Sequence, residues 1–117
     1  MNIETFRAYC LSKKGVTEEF PFDKNTLVYK VMGKIFSITD IDQFESINLK
    51  CDPEKSMELQ EQFNAVKPGY HMNKKHWITV VMDNSVLLHT LKDWIDTSYL
   101  LVVHGLSKSQ KLRLKSL

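Results

Sequence analysis

Leu27-Val28-Tyr29-Lys30-Val31-Met32-Gly33-Lys34-Ile35-Phe36-Ser37-Ile38-Thr39 decides the fold. Two runs rich in β-branched and aromatic residues flank Gly33-Lys34, a two-residue hairpin loop with glycine where positive φ is needed. Further along, Ser46-Ile47-Asn48-Leu49-Lys50-Cys51 alternates cleanly. Ile47, Leu49 and Cys51 face one way, and Ser46, Asn48 and Lys50 the other. Three consecutive antiparallel strands are therefore expected, with one face apolar.

Working outward, residues 2–14 predict a helix. Ile3, Phe6, Cys10 and Leu11 form one stripe, Asn2 caps the start and Gly15 takes the left-handed stop position. Val16 to Asp23 reads as a connection pinned to the core by Phe20 and Phe22, with Glu18 and Glu19 on a solvated surface. Asp52-Pro53-Glu54 combines a cap, a first-turn proline and an acid at the positive helix end. It starts a helix running to about Asn64 that buries Leu59, Phe63 and Met57. Lys67-Pro68-Gly69 is a turn, Tyr70 to Asn73 a fourth strand and Trp77 to Met82 a fifth. Asp83-Asn84-Ser85 turns the chain and caps a last helix, whose stripe is Leu88, Leu91, Ile95, Ser98, Val102 and Leu106. Asp96-Thr97-Ser98 is a point where it breaks or is re-capped, and the basic tail beyond frays. The order α-β-β-β-α-β-β-α makes an α+β protein: a two-layer sandwich, its antiparallel sheet carrying helices on one face. Residues 1–117 form one domain, consistent with their number and 43% hydrophobic content.

The chain carries 26% charged residues and a net charge of +2. Residues 1–65 hold 8 Lys+Arg against 11 Asp+Glu, whereas residues 66–117 hold 8 against 3. Such asymmetry marks either a polyanion-facing side or two sequence halves that folding mixes. The stretch Pro68-Gly69-Tyr70-His71-Met72-Asn73-Lys74-Lys75-His76-Trp77 has no acid and combines a turn with aromatic, cationic and hydrogen-bonding groups. It suits an anionic partner. Equally, it is a sharp turn whose Asn73 and histidines satisfy backbone groups.

Other chemistry is sparse. His71 and His76 are five residues apart, which on a strand points them to opposite faces, and neither has the i, i+4 spacing of a helical zinc pair. No metal or cofactor site is expected. No nucleophile elbow, P-loop or dinucleotide fingerprint occurs, so the protein is read as not an enzyme. Cys10 and Cys51 sit in apolar patterns; a single disulfide is one outcome, two buried free thiols the expected one. No run approaches the ~18 apolar residues of a membrane span, and the N-terminus has no secretory pattern. A cytoplasmic protein without a membrane partner is the expectation.

The segments Gly15–Asp23, Val28–Phe36, Asn48–Pro53, Pro68–Trp77 and Ser98–Val103 together resemble the MmcQ/YjbR family of small bacterial proteins. The resemblance implies an α-β(3)-α-β(2)-α fold, CyaY-like (frataxin-like) or similar to secretion chaperones. It also implies DNA binding, on the idea that two β wings grip a duplex, a label resting on fold analogy. The leading expectation is a DNA-binding module with weak, salt-dependent affinity. Its site comprises Lys30, Lys34, Lys50, Tyr70, His71, Asn73, Lys74, Lys75, His76 and Trp77. Lysines would neutralise phosphates, Asn73 and the histidines would donate hydrogen bonds, and Tyr70 or Trp77 would stack on an unpaired base, although Trp77 also reads as a core aromatic at a strand start. The alternatives are a protein-interaction or chaperone-like module with an acidic protein partner, and a small-anion pocket at Tyr70, His71, Asn73, Lys74 and Trp77.

Overall fold

In a computed structural model describing residues 1–70 and 72–117, the three expected strands are β2 (Thr26–Val31), β3 (Lys34–Asp40) and β4 (Ser46–Lys50). They pair antiparallel in sequence order. The hairpin loop is Met32-Gly33, one residue earlier than expected. Both residues have positive φ (50° and 80°), so Met32 accepts the left-handed conformation and Lys34 is free to pair with Val31.

The sheet has six strands in the order β1-β2-β3-β4-β6-β5, all neighbours antiparallel. The edge strand β1 (Val16–Glu19) occupies what reads as a connection, and β5 (Val66–Pro68) and β6 (Trp77–Val81) close the other side. Of the expected Tyr70–Asn73 strand, the described residues Tyr70, Met72 and Asn73 belong to no strand. Gly69 N–H still donates to the Trp77 carbonyl, but Tyr70 N–H donates to the Thr79 hydroxyl. The chain thus leaves the ladder after Pro68 and lifts onto the sheet face.

Four helices complete the α+β fold: α1 (Ile3–Leu11), α2 (Pro53–Gln62), α3 (Leu88–His104) and α4 (Lys108–Lys115). Asn2 caps α1 by accepting from Thr5 N–H. Phe6 and Cys10 of α1, Leu59 of α2, and Leu91, Ile95 and Val102 of α3 are buried with Leu27, Tyr29, Val31, Phe36, Ile47, Leu49, Ile78 and Val80 from one sheet face. Burial of this apolar surface is the main drive to fold. Met57 is exposed; the small Ser56 is buried in its place. The caps also differ from expectation. Asp83 closes a turn by accepting from Ser85, and α3 begins only at Leu88, which is exposed. That helix continues through Asp96-Thr97-Ser98, because Ser98 faces inward and is fully buried. Leu106 is buried beyond its end.

Nor does the tail fray. Ser107 and Gln110 form a capping box for α4. Leu114 then packs where a Gly15 side chain would lie: a Cβ there would stand 2.5 Å from Leu114 Cδ1, and Gly15 has φ +75°. Helix α1 stops at Leu11 with Ser12 as its C-cap, three residues short of the expected end, so Gly15 does not terminate it; what Gly15 does is admit the last helix.

Glu18 and Glu19 are not simply solvated. Arg7 donates twice to Glu18 (2.7 and 3.2 Å), and Tyr29 Oη donates to it at 2.7 Å. Glu19 pairs with Lys30 at 3.2 Å. Cys10 and Cys51 are buried free thiols, and burial pushes the Cys51 pKa up to about 11. No helix of the described residues is long and apolar enough to cross a membrane.

Candidate functional site

Strand alternation leaves a second sheet face without helices. Val28, Ile38, Asn48, Thr79 and Lys67 form one row across it by register. The next row carries Lys30, Ile35, Lys50 and Trp77. Trp77 thus lies on the helix-free face beside Lys50, half-buried, and is not a core aromatic.

A groove of about 600 Å³ opens on this face. Ile35, Ile38 and Asn48 contribute its floor, and Thr26, Asp40 and Ser46 close one end. Phe22 forms one wall from the β1–β2 connection; Tyr70 and Met72 form the other from the segment that lifts off β5. Phe22 is 67% exposed and Phe20 43%, so neither is a buried anchor. Pro21 disfavours a helical Phe20, and the chain bends at Pro21 and Phe22 with both rings exposed. Tyr70 is 51% exposed and is held at its backbone by Thr79. The same Thr79 hydroxyl donates to Asn48 Oδ1. No hydrogen bond among the described residues uses Asn48 Nδ2. Asp40 Oδ1 accepts from the backbone N–H groups of Asp42 and Gln43 (2.9 and 3.0 Å), which fixes the carboxylate at the groove's end.

The expected cationic residues are brought to one end of the sheet but not to one face. Lys50 and Lys30 share the helix-free face, and Lys30 is engaged by Glu19. Lys34 pairs with Val31, whose side chain is in the core, so it projects toward the helix side. Lys74 and Lys75 lie in the connection leading to Trp77, at the Lys50 end. Lys74 Nζ donates to the Gly69 carbonyl at 3.3 Å, and Asn73 Oδ1 accepts from Lys75 N–H. Asn73 therefore shapes the turn, as its bland reading holds. His76 is exposed, and its carbonyl accepts from Cys51 N–H. His71 lies outside the described residues. No group of His, Cys, Asp and Glu able to hold a metal ion occurs among the described residues.

Several groove residues escape the sequence reading: Phe22, Asp40, Asn48, Met72 and, on the same face, Lys67. The outward parity of Asn48 was legible in the alternation of its strand. That Phe22 and Met72 face one another across the sheet depends on two connections far apart in sequence.

The fold and groove define a class of protein: a two-layer α+β domain whose sheet carries helices on one face and an open groove on the other. Residues 11–101 match the YjbR family model, and the chain belongs to the YjbR family. It is 40% identical to the uncharacterized protein YbdF of Escherichia coli O157:H7, over 96% of this chain and 93% of that one. It is 29% identical to the uncharacterized protein YjbR of Escherichia coli K12, over 95% of each. Among solved structures, it superposes on Deinococcus radiodurans protein DR2400 with a TM-score of 0.90 at 38% identity, covering 97% of this chain and 88% of that one. A Pseudomonas syringae protein gives a TM-score of 0.73 at 26% identity, over 86% of this chain and 98% of that one.

Proposed function

We propose that this protein is a nucleic-acid-binding module without catalytic activity that holds an unpaired strand across the helix-free face of its sheet. The observation that carries the reading is one juxtaposition. Lys50 stands beside half-buried Trp77 on that face, and Lys74 and Lys75 lie in the connection between exposed Tyr70 and Trp77, at the same end of the sheet. Lysines neutralise phosphates, and aromatic faces stack on unpaired bases at about 1–3 kcal/mol each. The groove is lined mainly by apolar and aromatic side chains, and Asp40, its one charged lining residue among those described, lies at the far end and disfavours a continuous polyanionic track. An unpaired strand, DNA included, fits better than double-stranded DNA. With a net charge of +2, affinity falls in the weak range, about 10⁻⁴–10⁻⁶ M at physiological salt.

Fluorescence anisotropy of a labelled single-stranded oligonucleotide at low salt tests this. Lys50→Ala/Lys74→Ala/Lys75→Ala weakens binding by about tenfold or more, whereas Lys34→Ala, on the other side of the sheet, has little effect. The competing location is α4, where Lys108 and Lys111 are exposed or half-buried without an ion pair among the described residues. If Lys108→Ala/Lys111→Ala abolishes binding and the sheet variant does not, the sheet is not the platform.

A further inference from the structure

The groove has two chemically different ends. At one, Asp40 presents a carboxylate beside Thr26 and Ser46. Toward the other, the open face carries Lys50, two residues beyond Asn48 on the same strand and the same side, about 7 Å farther along. Between them lies an apolar slot with Ile38 as floor and Phe22, Tyr70 and Met72 as walls. Its occupant is therefore anionic at one end, flat and apolar in the middle, and a hydrogen-bond donor at the other end.

We infer that the groove is a one-nucleotide site for guanine, with the base in the slot, its donor edge on Asp40 and its phosphate toward Lys50. This rests on the nucleic-acid reading above and names the unit recognised. The absence of an acceptor next to the donor selects the base. Asp40 Oδ1 already accepts two backbone N–H groups, while Oδ2 accepts from none of the described residues. Guanine offers a carboxylate two adjacent donors, its ring N1–H and its exocyclic amino group. Uracil and thymine offer a single N–H flanked by carbonyl oxygens that a carboxylate repels. Adenine and cytosine place an acceptor nitrogen beside the amino group. Asn48 adds a complementary donor: its Oδ1 is held by Thr79, and its Nδ2 serves a carbonyl such as guanine O6. A free nucleotide and a guanosine within a strand present the same chemistry, so both are used as probes.

Tryptophan fluorescence titrations with guanosine monophosphate, uridine monophosphate, guanosine and inorganic phosphate test the site, alongside anisotropy with oligo-dG and oligo-dT. Guanosine monophosphate is expected to bind about tenfold more tightly than uridine monophosphate, the discrimination of roughly one well-made polar contact. Asp40→Asn keeps an oxygen for the Asp42 and Gln43 N–H groups, so the turn holds, and it removes the preference. Lys50→Ala weakens both nucleotides alike and leaves guanosine unchanged. Equal binding of the two nucleotides by the native protein overturns the inference, as does a preference that survives Asp40→Asn. Phosphate binding as well as the guanine nucleotide also overturns it. Oligonucleotide binding insensitive to Asp40→Asn and to Phe22→Ala leaves the strand reading standing and removes the groove. Guanine-nucleotide binding without oligonucleotide binding does the reverse.

Discussion

Glu18 shows how far a single side chain's role depends on what folds over it. In sequence it is one of two adjacent acids after a turn. In the fold it joins α1, β1 and β2 by accepting from Arg7 and from Tyr29, a ring with no exposed surface. Hydrogen bonding from Arg7 first, then from Tyr29, outweighs burial and holds its carboxyl below the ordinary 4.5. A depressed carboxylate pKa contributes stability that is complete above the unfolded value and lost as pH falls through the folded one. The urea midpoint should therefore decline as pH drops below about 5, and Glu18→Gln should flatten that decline. An unchanged slope in the variant would show that other carboxylates carry the acid sensitivity. Asp23 and Asp83, also held low, are the candidates: Asp23 by backbone bonds from Thr26 and Asn25, Asp83 chiefly by hydrogen bonds from Ser85.

Between elements, the telling contact is Ser98. The β2–β3 register shifts at Tyr29/Lys30, and the β3–β4 ladder runs only from Ser37↔Leu49 to Thr39↔Ile47. Past that point β3 and β4 no longer pair. Ser98 of α3 supplies the missing rung: its hydroxyl accepts from Lys50 N–H at 2.8 Å and donates to the Phe36 carbonyl at 2.6 Å. Sequence periodicity places Ser98 correctly in the helix stripe but says nothing of why a hydroxyl belongs there. Ser98→Ala orphans a donor and an acceptor, each costing about 1–3 kcal/mol when buried. A lower urea midpoint with unchanged denaturant dependence is the expected result. A midpoint within error of the native protein's would mean that water replaces the hydroxyl. Because Lys50 is the strand residue whose backbone Ser98 holds, the same variant should loosen the cationic end of the sheet.

At the scale of the molecule, topology converts the charge asymmetry of the two sequence halves into a difference between two ends. Asp40, Asp42 and Glu45 lie in or beside the β3–β4 connection, with Asp23 and Asp83 in the β1–β2 and β6–α3 connections at the same end. Lys50, Lys74 and Lys75 lie at the opposite end, joined by Lys14, whose Nζ donates to the Lys115 carbonyl. Asp52 and Glu54, which follow Lys50 into α2, moderate this cationic end. A strand held there meets about three or four cations, so log Kd for a single-stranded oligonucleotide should change with log salt by about 2 to 3. A salt-independent affinity would instead point to an apolar ligand or a protein partner.

The hairpin, the alternating third strand, the cap at Asn2 and the helix stripes, apart from the exposed Leu11 and Leu88, were legible in the chain because each follows from local periodicity and turn chemistry, which act within a few residues. The family could be read from the same segments. The helix-free face was half legible: parity sends Asn48 and Lys50 outward, but not Phe22, which reads as a core anchor. Only tertiary structure decided that Tyr70 leaves the ladder for the Thr79 hydroxyl, that Trp77 stands beside Lys50, that α4 docks over Gly15, and that Asp40, Phe22, Tyr70 and Met72 line one groove. These relations join residues far apart in sequence, and no local propensity encodes which strands become neighbours or what lies across a sheet.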